Sequence, residues 1–589
     1  MQLAWVDWLV VVAYGLLALV VGLLFVRRAG EGRESYFLSG RSLPWWLLGT
    51  SMVATTFSTD TPNLVTDMVR TGGVSQNWLW WAFVLTGMLT VFFYARLWRR
   101  SEVLTDVGFY EIRYSGKPAA FLRGFRALYL GVFFNVMIMA TVTLAAIKIS
   151  GVLLGLSPVT AVILAGTITV IYSATSGLWG VVVTDLLLFV LAMAGAIAAA
   201  YYAVTLPQVG GLSGLFSNPA LHGKLSLLPD FSDTTAVLTV LIVPLAVQWW
   251  ATWYPGAEPG GGGYIAQRML AARNEKESLY SVLWFNVAHY GLRPWPWILV
   301  ALASIIVYPD LASIHAAFPN LDPSIVRNDL AYPAMLVFLP HGLMGLMLAS
   351  LAAAYMSTIS THLNWGASYV TDDVYRRFIA PDVDERHYVT VARITTVGLI
   401  ILACLVALWL QNALQAFQIL LQIGAGTGLI FLLRWYWWRI NAWGEVAAMV
   451  VSFLVAIYFQ FVHGWLGFSP VHPTTALVLG VLITTTGWLV VTLLTRPTDP
   501  AKLQSFYDLT HPAPAGWRKA VDVEGRGGDT RLGQAALSWF LGCIAVYGAV
   551  FGVGYLLYGR PAVGLPCLAV TALAAWALGR LLARERFVS

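Results

Sequence analysis

Six hydroxyl or carboxylate side chains fall within nine consecutive positions, Ala54-Thr55-Thr56-Phe57-Ser58-Thr59-Asp60-Thr61-Pro62, inside an otherwise apolar stretch. Hydroxyl and carbonyl oxygens are hard ligands, so this density suits a hard cation. A second set lies at Ala354, Ser357 and Thr358, spaced i, i+3, i+4 and hence on one helix face. Ser357, Ser360 and Thr361 repeat that spacing one turn further on. The same face reads equally well as a seam of small residues between closely packed apolar helices. Asp185 is a lone carboxylate in an apolar run, and such a group calls for a cation or a proton. Arg293 makes the converse demand. It needs a buried counter-charge, with Glu258 or Asp60 as candidates, or an anionic ligand.

The chain around these residues belongs in lipid. Of its 589 residues 58% are hydrophobic and only 11% charged, against about 25% charged in soluble domains. A soluble enzyme and a nucleic-acid binder are excluded, since the basic residues behind the +6 charge follow the loops rather than one soluble face. Cys404, Cys543 and Cys567 sit in apolar runs and read as small buried hydrophobes, with no disulfide framework. No GxxxxGK[ST] phosphate loop exists, and the longest loops, 208–234, 308–331 and 496–532, are too short for an ATP-binding domain. A carrier or channel is expected, with no ATPase subunit and no nucleic acid as partner.

At about 20 apolar residues per span, fifteen helical spans are predicted: 3–26, 44–70, 76–95, 122–155, 158–175, 179–207, 235–255, 278–307, 332–362, 389–409, 412–434, 440–462, 474–495, 533–558 and 561–583. The first lacks a basic leader and is followed by Arg27 and Arg28, so it reads as a spanning helix rather than a cleaved signal. With the N-terminus outside, 28 of the 35 basic residues fall on the inner side and four, Arg70, Lys224, Arg327 and Arg560, on the outer. This asymmetry orients the chain N-terminus outside and C-terminus inside. Lys148 lies near an outer end, where it is expected to snorkel. His289 and His362 read as core histidines, and Asp372-Asp373 as solvated.

Two spans carry the marks of helices that unwind at depth. Thr61-Pro62 in span two reads as an N-cap and a first-position proline, starting a new half-helix after a short break. A proline kink with hydroxyls bonded back to the backbone is the alternative. Span seven runs into two prolines and five glycines between Pro255 and Gly263, which no regular helix accommodates. Spans two and seven are five apart, the spacing of an inverted five-helix repeat. Asp60, Trp250, Trp253, Tyr254, Glu258, Arg293, Gln418 and Gln422, at these breaks and on neighbouring spans, form the candidate solute pocket.

Several stretches, in order, carry a resemblance: Tyr36-Phe37-Leu38-Ser39-Gly40-Arg41, Tyr172 to Trp179 with Thr184-Asp185, Gln267-Arg268 with Ala271-Ala272, Ala354 with Ser357-Thr358, and Thr498-Asp499, Phe506-Tyr507 and Gly516-Trp517. From about Tyr36 to Trp517 the chain resembles the sodium/solute symporter family, which includes sodium/proline, sodium/galactose, sialic acid and sodium/glucose carriers. The resemblance implies an all-α LeuT-type core, residues 44–434, preceded by an extra helix and inner loop, 1–43, and followed by four accessory helices, 435–589. It implies a sodium site of Ala54, Phe57 and Ala354 carbonyls with Ser357 and Thr358 hydroxyls. A second sodium, found in some members, would map onto Asp185, Ser357, Ser360 and Thr361. Leu188 stands where many members have glutamine. Trp78-Leu79-Trp80-Trp81 lacks the acidic residue of sugar carriers, and Arg293 falls near their lysine, so a sugar is not supported.

The expected function is sodium-coupled symport of a small organic solute by alternating access in the cell membrane, among lipid, without enzymatic chemistry. The alternatives are a proton-coupled carrier of the same fold, using Asp185 or Glu258, and a membrane sensor or enzyme.

Overall fold

The computed structural model describes residues 3–29, 32–251, 258–321, 323, 326–410, 424, 426–524 and 531–585. Among them the chain is helical, with one isolated parallel bridge between Leu43 and Ala272. The helices used below are α1 (Trp5–Ala29), α2 (Trp45–Thr56), α3 (Asp60–Gly72), α4 (Gly116–Leu128), α5 (Asn135–Leu154), α6 (Pro158–Thr205), α7 (Gly263–Ala271), α8 (Glu275–Asn286), α9 (Pro294–Val307), α10 (Leu343–Ser368), α11 (Glu385–Trp409), α12 (Ala442–Ile457), α13 (Pro473–Leu494), α14 (Leu532–Leu557) and α15 (Pro561–Ala583).

Ten helical stretches among the described residues are long and apolar enough to cross a membrane. Shorter apolar helices, Trp5–Leu17, Pro158–Val170 and Thr234–Ala246, coincide with expected spans one, five and seven. Span two is divided between α2 and α3, and residues 411–423 of span eleven lie outside the described set. Spans five and six were expected to be separate, yet α6 is one helical run of 48 residues. No proline interrupts it after Pro158, so nothing in its backbone chemistry forces a stop. Span nine differs in the other direction. A short helix, Ala331–Leu336, is cut off from α10 by Pro340 and by Gly342, which adopts φ 85°.

The break in span two is present, but not where its proline was expected to set it. α2 ends at Thr56, Phe57 turns away with φ −88° and ψ 75°, and α3 begins at Asp60, making Pro62 its third residue. The first-turn N–H groups of a helix have no intrahelical acceptor, so a proline costs nothing there and the helix starts two residues earlier. Thr61 Oγ1 donates to Thr56 O across the gap, 3.3 Å. In span seven the chain passes from Gln248–Trp250 through a turn at Pro259-Gly260 into α7. Gly260 and Gly261 have φ of 80° and 93°, which favours glycine. A Cβ on Gly261 would lie 2.4 Å from Met269 Cε. These glycines serve the turn and its packing.

The ends of the two broken spans meet. Leu43 N donates to Ala271 O and Arg273 N donates to Leu43 O, each 3.3 Å, joining the start of α2 to the end of α7. α10 is packed on several sides, by α6, α1, α5, α11 and α2, and α2 lies against α8 and α6. Toward the C-terminus, α12 pairs with α13 and α14 with α15.

Candidate ion and solute sites

The structure brings the end of α2 against the polar face of α10. Ala54, Phe57, Ala354, Ser357 and Thr358 are all buried. Thr358 Oγ1 donates to Thr55 O at 2.8 Å, and the Thr55 and Thr361 hydroxyls lie 3.0 Å apart. Phe57 N donates to Ala54 O at 3.0 Å, so the last turn closes tightly before the chain departs. The result is a buried junction of carbonyl and hydroxyl oxygens, bordered through Ser357 by the Asp185 carboxylate.

Asp185 of α6 bridges the same two helices, reaching α10 at Ser357 itself. It accepts from Ser357 Oγ at 2.6 Å and from Ser51 Oγ of α2 at 2.5 Å. Ser360 Oγ donates to Ser357 O at 3.1 Å. Arg268 of α7 donates to Thr361 Oγ1 at 2.9 Å and approaches Asp185 Oδ2 to 4.0 Å. All six side chains are buried. Sequence reasoning missed Ser51 and Arg268 as members of this cluster. Ser51 lies four residues before Thr55 and so shares its helix face. Arg268 had been noted only as part of a motif.

Arg293 pairs with neither Glu258 nor Asp60, contrary to the candidate pairings. Its guanidinium donates to Val53 O at 2.9 Å, Thr56 O at 2.8 Å and Thr56 Oγ1 at 3.0 Å, and lies 2.9 Å from His289 Nδ1. The rings of Phe57 and Trp297 flank it, each centroid 4.9 Å away. Arg293 therefore caps the carboxyl end of α2, where the freed carbonyls and helix dipole favour a cation. Arg293→Leu leaves two buried carbonyls without this donor and is expected to cost about 1–3 kcal/mol. A lowered unfolding midpoint of the purified protein checks this; an unchanged midpoint removes the capping role.

Glu258 forms an ion pair with Arg126 of α4 and a second with Arg434 at 3.5 Å, which also reaches Glu445 at 3.4 Å. Asp60 has no ion-pair partner among the described residues, and its Oδ1 is buried without a hydrogen bond. Trp250 likewise has a buried, unbonded Nε1. Gly428 lets span eleven approach Trp250, since a Cβ there would sit 1.7 Å from Trp250 O. Trp253, Tyr254, Gln418 and Gln422 lie outside the described residues.

Other charges depart from expectation. Lys148 is buried and pairs with Asp329 at 2.9 Å instead of snorkelling. Asp372 and Asp373 are buried rather than solvated. Arg123 holds both, at 3.0 and 2.6 Å, while Arg33 and Arg376 hold Asp372 at 2.5 and 2.7 Å. Arg33 also pairs with Glu385 at 2.8 Å, and Glu111 with Arg123 and Arg377 at 2.6 and 2.9 Å. Burial alone would raise the Glu111 pKa, but Arg377 and Arg123 hold it below its usual value of 4.5. Its share of the network is present at neutral pH and lost as pH falls below that range. Arg33, Glu111, Arg123, Asp372, Arg376 and Glu385 line a cavity of about 730 Å³.

Residues 36–452 match the model of the sodium:solute symporter family. The chain is 28% identical over 478 residues to a sodium/glucose cotransporter of Vibrio parahaemolyticus, covering 78% of this chain and 86% of that protein. It is 24% identical over 466 residues to the sodium/sialic acid symporter SiaT of Proteus mirabilis, covering 76% and 88%. A solved structure of a Na+-coupled sialic acid symporter, substrate-bound and outward-open, is similar with TM-score 0.66 at 21% identity, covering 85% of this chain and 99% of that one. That likeness carries the fold. The family match spans well over half of the chain, which is therefore a member of the sodium:solute symporter family, a multi-pass membrane transporter that takes sodium as its coupling ion.

Proposed function

We propose that the protein moves a small organic solute together with two sodium ions across the cell membrane by alternating access. The observation that carries this reading is the double link between the broken helix and α10: Thr358 on Thr55 O, and Asp185 between Ser51 and Ser357. One sodium is held by the carbonyls of Ala54, Phe57 and Ala354 and the hydroxyls of Ser357 and Thr358. The other is held by Asp185, Ser357, Ser360 and Thr361. Both lie where α2 meets α10, so bound sodium fixes the gap that the solute pocket needs. The transport core is 44–434 with an inverted five-helix repeat, and the loop charges favour an outer N-terminus and inner C-terminus.

The solute occupies the break beside Asp60, whose free Oδ1 takes a hydrogen bond from a donor on the solute. Trp250, whose buried Nε1 has no hydrogen-bond partner, supplies one wall. Glu258 and Arg293 act from behind, holding the two breaks in shape through the ion pairs and carbonyl bonds described above. The Arg33–Arg123–Asp372–Asp373 network closes the inner side in the outward-facing state. Arg123→Ala unpairs Asp373 and loosens the closed state. It is expected to raise the half-saturating outer sodium concentration several-fold, because apparent affinity falls with the population of the binding-competent state. An unchanged value argues against an inner gate.

The test of the whole reading is ligand-dependent stabilisation of the purified protein, screened over sugars, amino acids, carboxylates and nucleosides with and without sodium. A bound solute raises the unfolding midpoint by mass action. A solute that stabilises only with sodium supports the reading. Equal stabilisation in potassium and in sodium argues against it.

A further inference from the structure

The geometry points to Arg268 as a tethered counter-ion that takes the place of sodium at Asp185 when the ion leaves. This rests on the reading of Asp185, Ser357, Ser360 and Thr361 as a second sodium site. Arg268 is fully buried and projects from α7, the half-helix that restarts span seven. Its guanidinium bonds Thr361 Oγ1 at 2.9 Å, Ser51 Oγ at 3.2 Å and Gln267 Oε1 at 2.9 Å. Gln267 is itself anchored, donating to Asn364 Oδ1 at 2.9 Å and Phe37 O at 3.0 Å. Thus two groups that hold the arginine, Ser51 and Thr361, also border or belong to the ion site.

The arginine stops short of the carboxylate. Its nearest nitrogen is 4.0 Å from Asp185 Oδ2, while a charge-assisted N–H···O contact closes to about 2.8 Å. A shift of roughly 1 Å completes the pair. The need for such a shift follows from burial. Sodium leaving Asp185 would strand a carboxylate in a medium that solvates it poorly. Arginine stays protonated, so it can always answer that charge. Sodium and guanidinium each carry one positive charge, and exchanging them leaves the net charge of the site unaltered. While sodium is bound, the two cations share one carboxylate and repel each other, which keeps sodium affinity low enough for release in each cycle. Because Arg268 rides on α7, release of this ion is tied to movement of the second broken span.

The sign of the expected effect separates this role from simple structural support. Binding of radiolabelled sodium to purified, monodisperse protein is compared among the wild type, Arg268→Gln, Asp185→Asn and the double variant. Removing the competing charge in Arg268→Gln is expected to tighten sodium binding by at least about tenfold and to slow its release. The double variant is expected to lose the tightening. Equal or weaker binding in folded Arg268→Gln overturns the proposal. If Asp185→Asn leaves sodium binding unaltered, the second-site reading fails and this inference with it. If Asp185→Asn weakens binding but Arg268→Gln does not tighten it, only this inference fails. Should Arg268→Gln not fold, Arg268→Met, which keeps an unbranched side chain but not the charge, carries the test. With the charge gone, it is expected to bind sodium more tightly than the wild type, as Arg268→Gln would. Unchanged affinity there overturns the proposal.

Discussion

Asp185→Asn lowers the steepest solute gradient that the protein sustains by about 500-fold, at a potential of about 100 mV and a roughly tenfold sodium gradient. The arithmetic follows from the ion count. One sodium moving inward releases about 2.3 kcal/mol from such a potential and about 1.4 kcal/mol from the concentration ratio. Two sodium ions square the accumulation that one supports. Asparagine keeps the shape of Asp185; its one carbonyl oxygen can accept from Ser357 or Ser51 while its amide donates to the other hydroxyl, which limits structural damage. It lacks the charge that makes this second site a cation site. Steady-state accumulation in liposomes, together with the measured sodium-to-solute ratio, checks the outcome. A ratio equal to that of the wild type contradicts it.

Thr358→Ala raises the sodium concentration for half-maximal uptake by about 10- to 100-fold. The hydroxyl is one of the five proposed oxygen ligands at the first site. It also donates to Thr55 O at 2.8 Å and holds the end of α2 against α10. Removing it deprives the ion of a ligand and leaves a buried carbonyl without that donor, a loss of about 1–3 kcal/mol. Thr358→Ser retains the oxygen and is expected to stay within a few-fold of the wild type. The pair of variants distinguishes a ligand from a packing residue: if serine and alanine behave alike, the oxygen is not the point. Titration of sodium-dependent uptake at fixed solute provides the readout.

The parts of this site that were legible in the sequence share one property, local spacing. The α10 oxygens follow from i, i+3, i+4 geometry, and the two breaks follow from polar, proline and glycine residues where an apolar helix should run. Asp185 stood out because a carboxylate is rare in such a run. What was not legible depends on which distant chains meet. Arg293 needed a partner, but charge alone could not reveal that the partner is a row of carbonyls at the end of α2 rather than Glu258 or Asp60. Glu258 instead finds Arg126 and Arg434, separated from it by 132 and 176 residues. Asp372 and Asp373 sit in a stretch rich in arginine and looked solvated. Their burial requires Arg33 and Arg123 to arrive from other elements. The start of α3 was displaced for a local reason, since a proline is tolerated throughout the first helical turn and not only at its first position.

The most direct test of the central claim is solute uptake into liposomes under one ion gradient at a time. With an inward sodium gradient and equal pH on both sides, uptake above equilibrium is predicted, and Thr358→Ala shifts its sodium dependence to higher concentration. With an inward proton gradient and no sodium, no accumulation is predicted. Accumulation driven by protons alone would contradict the account and make Asp185 a proton carrier instead.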